Sequence, residues 1–240
     1  MSVSSANTKK ILADFDRRYR NKKLLNLIVS FAIIIMGITS FIYIWNVDKE
    51  GILTFRWMTV DGTLFTVAMT IFYAVVNIIE IRHKTELTRK AAYFARLSSS
   101  VAECTIIIVV LLSQLPIFEQ HMHIFRYDMY CMHIMIPLLT VVSFVMNDSP
   151  IEKLKIWQIP LGSLFVFIYA SIIITLITTG IITKEQIPYF FLDFESNGTL
   201  FTIFGFIFIF GMEFALSCLL SYLNRKLYWL WFKKLGSTRS

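Results

Sequence analysis

Residues 24–45 read LLNLIVSFAIIIMGITSFIYIW, with Lys22 and Lys23 just before them and Asp48, Lys49 and Glu50 just after. This run of 22 residues carries no charged side chain. At a rise of 1.5 Å per residue it is about 33 Å long as a helix, enough to cross a hydrocarbon layer of about 30 Å. Five more runs of similar character follow, at 52–81 (or 59–81), 101–118, 127–146, 157–182 and 199–223. With 56 % apolar residues over 240 positions, one soluble core cannot absorb them all. Strands in lipid would need a closed barrel with alternating polarity, which these runs lack. The expectation is an all-α, polytopic six-transmembrane-helix bundle at 24–224. A basic N-terminal segment at 1–23 and a basic tail at 225–240 flank it. No short apolar stretch is followed by a small-residue cleavage site, so the first helix is expected to be its own insertion signal.

Nineteen of the 23 Lys and Arg residues fall on one side of this topology. Only Lys49, Arg56, Arg126 and Lys184 fall on the other. The bias puts both termini in the cytoplasm. The same charges account for the net +7 and flank helices, with no base-reading motif, so the expected partner is a bilayer with anionic headgroups and not nucleic acid. The longest cytoplasmic loop, 82–96, reads as a helix lying on the membrane surface. Cys104, Cys131 and Cys218 all sit in apolar runs and read as packing residues.

Polar residues inside the runs are periodic. In the second run Thr59, Thr63, Thr66, Thr70, Tyr73 and Asn77 recur at spacings of four and three, which places them on one helix stripe. Arg126, Tyr130, His133, Pro137, Thr140 and Asn147 do the same on the fourth helix, and Glu213, Ser217, Ser221 and Asn224 form a shorter version on the sixth. Hydroxyls in membrane helices commonly satisfy one another or the backbone, which accounts for most of these. Glu213, for which Gln114 and Tyr169 are candidate partners, and His133 ask for more, because an ionisable group at that depth usually faces a cavity or a partner. Pro137 removes the donor that would meet the His133 carbonyl and favours a kink beside it.

Thr59 and His133 form the candidate pair, a hydroxyl nucleophile with an imidazole base. Their depths match if the second helix starts near Ile52, and differ by several ångströms if it starts at Thr59. The longer, tilted helix is preferred, since Ile52, Leu53 and Phe55 extend the apolar run. Arg56 or Tyr130 would then hold a carboxylate or a developing oxyanion, and Asp61 or Asp128 would orient the imidazole. Thr63, Thr66, Asn77 and Glu213 complete the polar seam.

The segments FRWMTV at 55–60, YCMHIMIPLL at 130–139 and PYFFLD at 188–193 resemble the androgen-induced gene / androgen-dependent TFPI-regulating protein family of six-helix membrane hydrolases, most closely its bacterial branch. The resemblance covers roughly 24–227. It implies a threonine hydrolase of fatty acid esters of hydroxy fatty acids or similar lipid esters, with Thr59 as nucleophile, His133 as base and a bacterial plasma membrane as location. At Phe190 the sequence departs from the family's outer-loop pattern, where bacterial relatives tend to have a second proline. The alternative is a six-helix binding or transport subunit whose seam holds a lipid or other apolar ligand without chemistry. No cofactor is expected: His121 and His123 lie in a loop and His83 on the opposite side, which does not suit haem, and with Glu119 they offer only adventitious metal binding.

Overall fold

The computed structural model describes residues 5–83, 89–110, 126–150 and 155–237. Among the described residues there is no strand, and six helices are long and apolar enough to span a membrane. They are α1 (Ser5–Val47), α2 (Met58–His83), α3 (Arg89–Val109), α4 (Tyr127–Asn147), α5 (Leu164–Thr178) and α6 (Thr199–Ser237). A 3₁₀ stretch, Ile156–Ser163, leads into α5 within the same span. The protein is an integral, multi-pass membrane protein.

Its burial pattern is that of a protein dissolved in lipid. Ile28, Phe31, Ile35, Ile168, Phe204 and Phe208 are exposed on helix faces, whereas Asn26, Thr63, Thr66, Thr70, Asn77, Glu103 and Thr140 are fully buried. Acyl chains are as apolar as leucine, so burying Leu against Leu stabilises little, and interior hydrogen bonds and close packing hold such helices together. Gly37 shows the packing term. A Cβ there would collide with the Val67 side chain, so only glycine lets α1 approach α2 this closely.

At the end of the bundle opposite Thr59, an ionic cluster ties five helices together. Arg96 Nε donates to Asp148 Oδ2 at 3.0 Å, and its terminal nitrogens reach Ser143 Oγ at 2.9 Å and Thr70 Oγ1 at 3.4 Å. The other carboxylate oxygen of Asp148 accepts from Tyr73 at 2.8 Å and Asn26 at 3.0 Å. Asn224 of α6 donates to the Asp148 carbonyl at 2.8 Å, and Lys23 pairs with Glu80 at 2.6 Å.

Three expectations change. The segment 82–96 is not a surface linker throughout: α3 begins at Arg89, and Arg96 is buried in the bundle because Asp148 neutralises it there. The second helix does not start near Ile52. Gly51, at φ 59°, turns the chain into a separate 3₁₀ segment, Gly51–Arg56, and Trp57, at φ −87° and ψ 121°, breaks the path before α2 begins at Met58. The last helix runs on well past 223, to Ser237. Positions 111–118 of the expected third span lie outside the described residues.

Candidate functional site

Thr59 is the second residue of α2, in the first turn at the positive end of the helix dipole, where Val60 N and Asp61 N already donate to the Trp57 carbonyl. Three residues, Tyr189, Tyr169 and Glu50, fix this start. Tyr189, from the segment between α5 and α6, accepts a hydrogen bond from Met58 N at 3.1 Å. Tyr169 of α5 donates to the Arg56 carbonyl at 2.5 Å. Glu50 accepts from Arg56 at 2.9 Å and from the Trp57 indole at 3.4 Å, while Trp57 meets the Tyr189 ring edge-on.

His133 lies in a π-helical turn, Cys131–Met135, inside α4. Pro137 supplies the local reason. It has no N–H to offer the His133 carbonyl, and the ladder is re-formed one residue wider, with Ile136 N donating to Cys131 O. The imidazole, 6 % exposed, is held by a contact of Nδ1 with the Met129 carbonyl at 3.0 Å. A carbonyl only accepts, so Nδ1 carries the proton and Nε2 presents its lone pair. Nε2 is 3.2 Å from Thr59 Oγ1, so the two helices bring a hydroxyl and a base into contact. The contact forms even though α2 starts at Met58 and not near Ile52, with the separate Gly51–Arg56 3₁₀ segment preceding it.

The other expected residues stand differently. Asp128 does not orient His133: both of its oxygens accept from Arg126, at 2.7 Å each, and Arg126 also bridges to Asp48, just past the end of α1. The Asp128 and Asp48 carboxylates hold the Arg126 guanidinium firmly in its charged form. Asp61 does not reach the imidazole either, whose Nδ1 is already taken; it lines a cleft between α2 and α5. Arg56 has its terminal nitrogen on Glu50, and Tyr130, 39 % exposed, faces away from the interior. Thr63, Thr66, Asn77 and Glu213 are buried as a seam, and Glu213 accepts from Thr105, not from Tyr169. Gln114, Glu119, His121 and His123 lie outside the described residues. Among the described residues no three His, Cys, Asp or Glu side chains gather as a metal site.

Tyr189 was not among the residues expected at the site, although it lies in the PYFFLD segment. Its hydroxyl is within reach of those of Thr59 and Tyr169, and burial pushes its pKa up to about 12. It therefore remains a neutral donor. Asp193, whose carboxylate accepts from Ser196 N at 3.0 Å, caps the turn that returns the chain from this tyrosine into α6.

Beside the site, the cleft of about 450 Å³ runs between the Gly51–Arg56 segment, α2 and α5, with walls of isoleucine, leucine and phenylalanine. Arg56, Asp61 and Tyr169 supply its polar end. No protein-family model, curated protein or solved structure matches the chain.

Proposed function

We propose that the protein is an intramembrane threonine hydrolase that cleaves carboxylic esters of lipids, related to the androgen-induced gene family and residing in a bacterial plasma membrane with both termini cytoplasmic. The observation that carries this reading is the 3.2 Å contact of Thr59 Oγ1 with a histidine nitrogen whose lone pair is directed at it by the Met129 carbonyl. A threonine hydroxyl attacks an ester only when a base takes its proton, and a positioned imidazole supplies about 10²–10⁴ in rate.

The steps follow from this geometry. Thr59 Oγ1 attacks the ester carbonyl and its proton passes to His133 Nε2. The oxyanion forms beside the Thr59 N–H, at the helix N-terminus, and the Tyr189 hydroxyl, two donors of the kind that stabilise tetrahedral intermediates. Collapse expels the alcohol, which takes the proton from Nε2, and leaves an ester on Thr59. Water then attacks that ester and gives one proton to His133 Nε2; collapse releases the carboxylic acid, and Nε2 returns that proton to Thr59 Oγ1, restoring the free threonine and the neutral imidazole.

A lipid-binding subunit without chemistry is the second reading. The apolar cleft favours it, since such a cavity would serve a binder as well. Turnover separates the two. Purified wild type in detergent should hydrolyse a branched fatty acid ester, and Thr59→Ala and His133→Ala, equally monodisperse, should not. Wild type inactive across several lipid esters would remove the hydrolase reading.

A further inference from the structure

The cleft between α2 and α5 has a chemical bias that the pair itself does not reveal. Its walls include Ile168 and Ile172, which are about half exposed on the lipid-facing side of α5, so an acyl chain can enter from the bilayer without crossing a polar barrier. At its polar end the Asp61 carboxylate has no hydrogen-bonding partner among the described residues, and Arg56 Nε is buried with no acceptor. Asp61 thus offers the cleft a free acceptor, while Arg56 Nε, though unpaired, is buried out of contact with its open space.

A hydroxyl group satisfies Asp61 by donating to it. An anionic head does not. At this end of the bundle the described residues present seven carboxylates (Asp48, Glu50, Asp61, Asp128, Glu185, Asp193 and Glu195) against Lys49, Arg56, Arg126 and Lys184. Three of these four cations are already paired, Arg56 with Glu50, Arg126 with Asp48 and Asp128, and Lys184 with Glu195 at 3.8 Å. The fourth, Lys49, does not line the cleft, so a phosphate or carboxylate head would sit beside Asp61 without a free counter-charge in the cleft wall, where apolar surroundings weaken screening. The volume, near the low end of the roughly 300–1,000 Å³ typical of ligand pockets, suits one chain.

We propose that this cleft binds an uncharged, single-chain lipid with a hydroxylated head, of the monoacyl- or monoalkylglycerol kind, and discriminates against anionic lipids. That its occupant is the substrate rests on the hydrolase reading. The binding preference does not.

The test uses dodecylglycerol, an ether that cannot be hydrolysed, and dodecyl phosphate, titrated into the detergent-purified full chain by native mass spectrometry. The expected result is saturable dodecylglycerol binding, with dodecyl phosphate weaker by about tenfold or more. Ile172→Trp and Ile168→Trp, which fill the cleft from its lipid side, should weaken dodecylglycerol by a similar factor while the protein stays monodisperse. Asp61→Asn, nearly isosteric, should keep dodecylglycerol and narrow the gap to dodecyl phosphate. Phosphate bound as tightly as glycerol by wild type, or glycerol binding untouched by both tryptophans, overturns the proposal. Dodecylglycerol bound by a protein that turns over no ester would remove the hydrolase reading and leave the cleft standing; turnover without binding would do the reverse.

Discussion

Arg96 and Asp148 form an ion pair at 3.0 Å with side chains only 1 % and 3 % exposed, and no remaining polar atom of either side chain faces lipid. Ser143 and Thr70 take the rest of the guanidinium, and Tyr73 and Asn26 take the second carboxylate oxygen. The pair joins α3 to the end of α4, while its partners recruit α1 and α2.

Breaking such a pair from one side leaves an unpaired charge in a medium that cannot solvate it. Asp148→Ala and Arg96→Ala should each destabilise the bundle by about 3–5 kcal/mol. Removing both charges together, as Arg96→Met with Asp148→Leu, should cost clearly less than the sum of the single changes. Thermal unfolding of the four proteins in one detergent gives the comparison. Additive losses would show that the two residues act independently, against the geometry seen here.

Tyr189 yields a prediction in pH. Its pKa lies near 12 when folded, against about 10 in an unfolded chain, because burial disfavours the phenolate. The folded state therefore holds this proton more tightly. The resulting stability is fully present below about pH 10 and is lost as pH rises from there through about 12. Tyr189→Phe, which has no proton to lose, should unfold less steeply in that window. If the tyrosine is also an oxyanion donor, the same substitution should lower kcat by about 10² with little change in KM. An unaltered kcat would confine Tyr189 to holding the start of α2.

The six spans were legible because hydropathy is a local property: 24–45 and 127–146 needed only their own residues. The stripe from Thr59 to Asn77 was legible for the same reason, a period of four and three on one helix. The start of α2 was not. It depends on Tyr189, which receives Met58 N from 131 positions away, and on Tyr169, which receives nothing from the sequence near Arg56 but donates to its carbonyl across the cleft. Arg96 looked like a loop charge because Asp148, its reason for burial, is 52 positions away. Asp61 and Asp128 looked equivalent as partners for the imidazole. Only the fold shows that Arg126 takes one, the cleft takes the other, and a backbone carbonyl does the orienting.

Pro137 should matter to the site more than to stability. Pro137→Ala returns an N–H that can reach the His133 carbonyl and close an ordinary α-helical turn. Conversion of the π-turn rotates the residues before it by about 100° relative to those after, the angle per residue of a 3.6-fold helix. His133 would then leave Thr59. The variant should melt at or above the wild-type temperature yet lose about 10²-fold or more in turnover, the worth of a general base. Unchanged turnover would mean that packing around Cys131 and Met132, and not the proline, maintains the turn.

Gly162 tests whether helix approach sets the position of α6. It lies in the Ile156–Ser163 stretch, where a Cβ would overlap Ser217 Oγ of α6 and press on Leu97 of α3 at 3.1 Å. Ser217 in turn donates to the Ile159 carbonyl at 2.6 Å, one of the acceptors in a turn that contains Pro160. Gly162→Ala should therefore cost about 1–3 kcal/mol by overpacking. Ser217→Gly alone loses one hydrogen bond, about 0.5–1.5 kcal/mol. The double substitution removes the atom that the new methyl would strike, so it should be no less stable than Gly162→Ala, and the two costs should fail to add. Fully additive melting shifts would place the strain at Leu97, with α6 free to move aside.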